Sequence, residues 1–317
     1  MKEDTTIAWL LEGDVSVAWQ TERDLRGKSR PALRERIATE GWGKQLMDAR
    51  NAAGTWGRGF YVPRWACTHY VLLELRNLGF PPEHPDIRQI VEDVLQTHIA
   101  EDGGLGHAPN QRKSDTCING MFLNYASYFT ASPDALATVI DFLLSVQLPD
   151  GGFNCQINRR EVSHSSLHST LSVLEGFERF ERAQYSYRLP EVQKAASEAR
   201  GFILQHRFFK SDRTGRVINK EFLSLPYPAR WRYNILRSLD HFRAAGCPYD
   251  PAMDDALQAL AAQKRPDGRW PRAKKLQGAV FFDMERPRAP SRWNTLLALR
   301  VLKAYPRGQR LHAGQSQ

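Results

Sequence analysis

Cysteine is scarce: four residues in 317, at positions 67, 117, 155 and 247, with no CxxC pair among them. That wide spacing argues against a cysteine-stapled fold and points to reduced thiols in a cytoplasmic protein. Long apolar runs are missing too. No stretch approaches 18 consecutive apolar residues, so no transmembrane helix is expected, which leaves only peripheral contact with a membrane surface. The N-terminus, MKEDTTIAWLLEGDVS, lacks a basic segment leading into an apolar core, so no signal peptide is expected. There is no continuous basic run either. The net charge is +9 and the pI about 9.5, which favours anionic partners. RKSD, RWR and PRAKK are short and scattered, however, and argue against a dedicated nucleic-acid surface.

What the chain does have is ordinary globular material. Hydrophobic residues make up 42% and charged residues 25%, enough for a sizeable core. Eight Trp, ten Tyr and fifteen Phe suit either an aromatic-lined cavity or a large helical interior.

The organising feature is an internal repeat of helix, Gly-rich turn, polar loop and more apolar helix. The turns are GTWGRG at 54–59, DGGLG at 102–106, DGGF at 150–153, DRTGRV at 212–217 and DGRW at 267–270. The apolar helices are expected at 65–80, 115–129, 165–180, 230–246 and 292–305. Their amphipathic partners are expected near 32–50, 86–100, 134–148, 190–206 and 251–264, with apolar residues at i, i+3, i+4 and i+7. Such hairpins predict an all-α chain. Five to six of them can close into an α/α toroid, with an open superhelical array as the alternative. The expected division is 1–50 as N-terminal helices packed on the ring and 51–317 as the toroid. The N-termini of the inner helices would share one rim, and their unsatisfied N–H groups would favour anions.

Within the repeat, SDTCINGMFLNYASYF (114–129) and SSLHSTLSVLEGFERF (165–180) hold metal-ligand side chains at matching positions. Cys117 and His168 each lie six residues before a leucine, Leu123 and Leu174. His69 lies six before Leu75 and is expected at the same level, and His164 stands one turn from His168. Each residue also has a plainer reading. Asp115 suits a helix N-cap, Cys117 a small buried apolar site and His168 a core histidine.

The chain resembles a known superfamily over about residues 50–305. FLLSVQLPDGGF and ALAAQKRPDGRW resemble the QW repeats of squalene and other triterpene cyclases. GGLGHAPNQRKSDTCINGMF followed by GGFNCQINRREVSHSSLHSTLSVLEGF resembles protein prenyltransferase β subunits. The resemblance implies a catalytic zinc on Asp115, Cys117 and His168, with Arg112 and Lys113 holding an isoprenoid diphosphate. Ile118 and Leu167 stand where that family often has aromatic residues, and the acidic DxDD-type motif of the cyclases is missing.

The leading expectation is a zinc-dependent enzyme similar to the prenyltransferases, acting on an isoprenoid or another apolar substrate with an anionic group. The alternatives are a metal-free terpenoid cyclase or lyase, and a non-catalytic toroid that binds a lipid or protein. Arg-Trp occurs three times before apolar helices, at 64–65, 230–231 and 292–293. It reads either as a guanidinium ring around a cavity mouth or as Trp wedges with Arg capping carbonyls. Arg230, Arg232 and Tyr233, with His69 and His164, are the candidates for substrate contact, and His164 could also serve as a further ligand or a partner of one. His107, Asn110, Cys155 and Asn158 lie on loops that reach the expected mouth. The segment carrying Lys274, Lys275 and Asp283 has the composition of a lid.

Overall fold

A computed structural model describes residues 2–108 and 112–306, apart from the side chains of residues 2–4 and 158. The described chain is mostly helical. Its helices are α1 (Lys2–Leu11), α2 (Val15–Gln20), α3 (Pro31–Glu35), α4 (Gly41–Asp48), α5 (Thr68–Leu78), α6 (Pro85–His98) and α7 (Thr116–Tyr128). They continue as α8 (Pro133–Ser145), α9 (Leu167–Arg182), α10 (Leu189–Gln205), α11 (Ile235–Ala244), α12 (Asp254–Ala261) and α13 (Arg292–Ala304). The one sheet among the described residues is an antiparallel pair of two-residue strands, β1 (Trp270–Pro271) and β2 (Pro290–Ser291). No helix among the described residues is long and apolar enough to cross a membrane.

The chain forms two compact units. One comprises Met1–Asp48, Leu78–Phe80 and Leu204–Gln317; the other comprises Ala49–Asn77 and Pro81–Ile203. The first division falls between Asp48 and Ala49. The rest of the chain divides again at 203–204, and the N-terminal helices group with the last third of the sequence.

In the first unit α1, α2 and a π-helical turn at Thr21–Leu25 pack on α13, which also packs on α11. Arg300 of α13 joins these elements. It is 11% exposed and donates to Asp240 of α11, to Asp24 Oδ2 at 3.0 Å and to Gln20 Oε1 at 3.2 Å. Arg243 adds a bond of 2.8 Å to Asp240. Burial alone would raise both aspartates. The arginines outweigh it, Arg300 and Arg243 at Asp240 and Arg23 and Arg300 at Asp24, and hold both below the usual carboxylate range.

In the second unit the expected repeat is visible as one recurring turn. Asp102 accepts from Ser114 N and Ser114 Oγ, both at 2.7 Å. Asp150 accepts from Ser165 N at 2.8 Å and Ser165 Oγ at 2.5 Å. The glycine after each aspartate has a positive φ, 81° at Gly103 and 85° at Gly151, which glycine adopts without a Cβ penalty. A second pair of bonds fastens each turn to its apolar helix. Leu105 N donates to Asn119 Oδ1 at 2.7 Å, and Phe153 N donates to Thr170 Oγ1 at 2.9 Å. Trp56 N with Thr68 Oγ1 (3.3 Å) repeats the arrangement in the second unit, and Trp270 N with Thr295 Oγ1 (2.9 Å) repeats it in the first. These bonds set the equivalences: Thr68, Asn119 and Thr170 occupy one register position.

Helices α7 and α9 lie parallel and very close. A Cβ on Gly120 would sit 2.6 Å from Ser172 O and Val173 N, and one on Gly176 would sit 2.5 Å from Gly120 O. Phe122, Leu123, Leu174 and Phe177 are buried around this contact, each worth about 1.5–3 kcal/mol of burial. The expected helices near 86–100, 134–148 and 190–206 are present with ends shifted by a few residues. The expected helix at 32–50 is instead split into α3, a short 3₁₀ turn and α4. Asp14 explains the restart, because its Oδ2 accepts from Trp42 N at 2.7 Å while its Oδ1 accepts from Ser16 N at 2.9 Å.

Candidate metal centre

The heads of α7 and α9 carry the candidate donors. Taking Asn119 and Thr170 as equivalent, the positions two residues earlier are Cys117 and His168. The close parallel packing of α7 and α9 therefore sets these two at matching levels of neighbouring helices. Both are half-buried.

Asp115 stands at the N-cap position of α7 but makes no capping bond with its side chain. Its carboxylate is 6% exposed and faces two cationic or polar groups instead. His107 Nδ1 lies 3.3 Å from Oδ2, and Arg159 Nη2 donates to Oδ1 at 3.2 Å. Asp115 is thus the N-cap of α7 by position, without capping it through its side chain.

Cys117 and Cys155 are joined through their sulfurs, with Cα atoms 5.8 Å apart. Cys117 N also donates to Cys155 Sγ at 2.9 Å. Cys155 N donates to Ser169 Oγ at 3.0 Å, which fixes its loop to the residue following His168. This pairing differs from the reduced, separate thiols expected from the spacing. The repeat folds the 38-residue separation back on itself, so distance along the chain concealed it. The free cysteines are Cys67, buried, and Cys247, half-buried.

The other expected site residues scatter. Arg112 is exposed and its Nε pairs with Glu101 Oε2 at 3.3 Å; Lys113 is exposed beside it. His164 is exposed, and its carbonyl accepts from Asn154 Nδ2 at 2.8 Å. His69 is one residue beyond Thr68, so Ala66, not His69, stands at the position equivalent to Cys117 and His168. The leucine register was misaligned there by three residues. His69 is fully buried, with Nδ1 3.2 Å from Tyr125 Oη and no hydrogen-bond partner for Nε2 among the described residues. Burial lowers its pKa to about 3, so it is neutral at ordinary pH.

Arg230, Arg232 and Tyr233 belong to the first unit. Tyr233 is buried, donates to Phe208 O at 2.6 Å and is pushed up by burial. Arg232 pairs with Glu221 at 2.8 Å and lies over the Trp231 ring; Arg230 is half-buried. Arg292 donates to Trp9 O at 2.9 Å and covers the Trp9 ring, which is the carbonyl-capping reading of Arg-Trp. Lys275 pairs with Asp283 at 2.8 Å. Asn110 and the side chain of Asn158 lie outside the described residues.

Aromatic rings border the centre. Tyr61 lies 6.2 Å from the His107 ring and 5.4 Å from the His69 ring, and its hydroxyl meets Tyr70 Oη at 2.8 Å. Phe60 and Tyr125 complete this group around His69. Arg159, and the bonds of the Asp102 and Asp150 turns to Ser114 and Ser165, were missed in the sequence. DGG followed by a serine 12 to 15 residues on was the available signal.

Among the described residues, no three His, Cys, Asp or Glu side chains are gathered as a bound ion would hold them. The donor types at the head of α7 and α9 nonetheless suit zinc, which takes sulfur, imidazole nitrogen and carboxylate oxygen. No protein-family model matches the chain, and no curated protein is significantly similar to it.

Proposed function

We propose that the chain is a zinc-dependent enzyme resembling the protein prenyltransferases, acting on an isoprenoid or other apolar substrate that carries an anionic group. The observation that carries the reading is the parallel contact of α7 with α9, which sets Cys117 and His168 at the same level with Asp115 at the helix head. The repeated hairpins support an α/α toroid as the arrangement behind it.

Zinc held there would lower the pKa of a bound thiol or water and draw electron density from it. The chain's own residues do the rest. Arg159 and His107 hold the Asp115 carboxylate in place, and such partners of a ligand typically alter metal affinity 10–100-fold when removed. Tyr61 and the rings around His69 offer an apolar wall, from which the neutral His69 adds no charge. Arg112 and Lys113, exposed on the approach to α7, are placed to attract an anion before it reaches the centre. A reducing compartment such as the cytoplasm suits the reading, because Cys117 must be a thiolate to bind metal.

The test is zinc content of purified protein prepared under reducing conditions. One zinc per chain is expected, with Cys117→Ala and His168→Ala each losing most of it while keeping helical circular dichroism. Wild-type protein without zinc under these conditions would overturn the reading. A second reading, a metal-free binding or lyase protein, is favoured by the bonded Cys117–Cys155 pair. Full activity or ligand binding in the presence of a strong chelator would select it.

A further inference from the structure

We propose that Cys155 is a ligand of the same centre, so that the metal is held by two sulfurs, from Cys117 and Cys155, together with His168 and Asp115. This rests on the zinc reading above. The repeat geometry carries it. Leu105 and Phe153 are equivalent through their bonds to Asn119 and Thr170. The loop positions two residues on are His107 and Cys155. Each repeat thus presents one sulfur and one imidazole, at exchanged positions: His107 and Cys117 in one, Cys155 and His168 in the next.

The local contacts point the same way. Cys155 Sγ already meets Cys117, and it accepts the Cys117 backbone N–H at 2.9 Å. A hydrogen bond donated to sulfur favours the thiolate, the form that binds metal. The Cys155 backbone is tied to Ser169, next in sequence to His168, so its loop cannot drift from the α9 head. His107 then has the role of orienting the Asp115 carboxylate.

Loading requires the sulfur pair to be reduced. A phosphine cleaves the S–S bond: one phosphine and one water give the phosphine oxide and two thiols. Each thiol then releases one proton as it binds metal. With four protein donors a tetrahedral zinc is fully ligated, and a substrate atom reaches it only by displacing one of them.

The experiment uses the full chain, reduced with a phosphine and titrated with Co2+, then with Zn2+ in competition. The thiolate-to-cobalt charge-transfer band should have the intensity of two sulfurs and fall by about half in Cys155→Ser, with zinc affinity reduced at least 10-fold. Cys155→His, which places at this position the imidazole that its equivalent already carries, should recover affinity while keeping the halved band. Circular dichroism checks that both variants fold. If wild type binds cobalt with a one-sulfur band and Cys155→Ser changes neither band nor affinity, Cys155 is not a ligand and the zinc reading stands. If the reduced wild type binds neither metal, both proposals fall.

Discussion

His69 is sealed among Phe60, Tyr61, Tyr70 and Tyr125 and stays neutral down to about pH 3. In the unfolded chain its pKa returns to the ordinary 6.5. Folding therefore excludes a proton that the unfolded state binds below that value. The sign follows: this residue costs nothing above about pH 6.5 and destabilises the fold progressively as pH falls toward 3, by ~1.4 kcal/mol per pH unit. His69→Phe should flatten that part of the stability curve, read as urea midpoints between pH 7 and 4. In wild type, the His69 ring resonances should not titrate between pH 8 and 5. A titration in that range would place His69 in contact with water, contrary to its burial.

At the scale of elements, the contact of α7 with α9 makes glycine obligatory at two places and irrelevant at others. Gly120→Ala drives a methyl into Ser172 O and Val173 N, and backbone atoms cannot step aside as a flexible side chain can. The expected cost is ~1–3 kcal/mol in chemical denaturation, and the shift of α9 should weaken metal binding as well. Gly201, exposed in α10, has nothing within 4 Å of an added Cβ. Gly201→Ala should stabilise by ~0.4–1 kcal/mol, through helix propensity and the loss of unfolded-state freedom. One substitution with opposite signs in two helices tests the packing directly. The Arg300 network makes a second prediction. Arg300→Met leaves the buried Asp240 with Arg243 alone and Asp24 with Arg23 alone, and should cost up to ~3–5 kcal/mol at pH 7. Both aspartates have folded-state pKa values below the usual range, so the stability they contribute is present above about pH 4 and lost as pH falls below it. The gap between wild type and Arg300→Met should narrow toward pH 3 in thermal unfolding; a gap independent of pH would deny the ionic origin.

For the whole molecule, the helical repeat was legible because its signals are local. Gly-rich turns, apolar spacing and the aspartate-to-serine interval all lie within one period of the sequence, and the structure follows them at Asp102 and Asp150. The matching levels of Cys117 on α7 and His168 on α9 were legible through the same register. Three things were not. Cys155 finds Cys117 across 38 residues, a pairing that only the folded turn creates. His69 was set against Cys117 by counting to a leucine, whereas the Thr68 bond fixes a register three residues away. The grouping of residues 1–48 with the last third of the chain depends on long-range pairs such as Asp24 with Arg300 and Trp9 with Arg292, which no local pattern announces. That last feature bears on how the protein is made. The second unit is complete in sequence once residue 203 has been synthesised. The first unit is interrupted by it, and α1 and α2 lack their α13 partner until the ribosome has added that helix. At ~5–20 residues per second, the roughly 280 residues between the end of α2 and the end of α13 take about 15–60 s. Throughout that time, α1 and α2 lack the packing that α13 supplies in the finished fold. Until then α1 and α2 are open to chaperone capture or aggregation, and the addition of α13 ends that exposure.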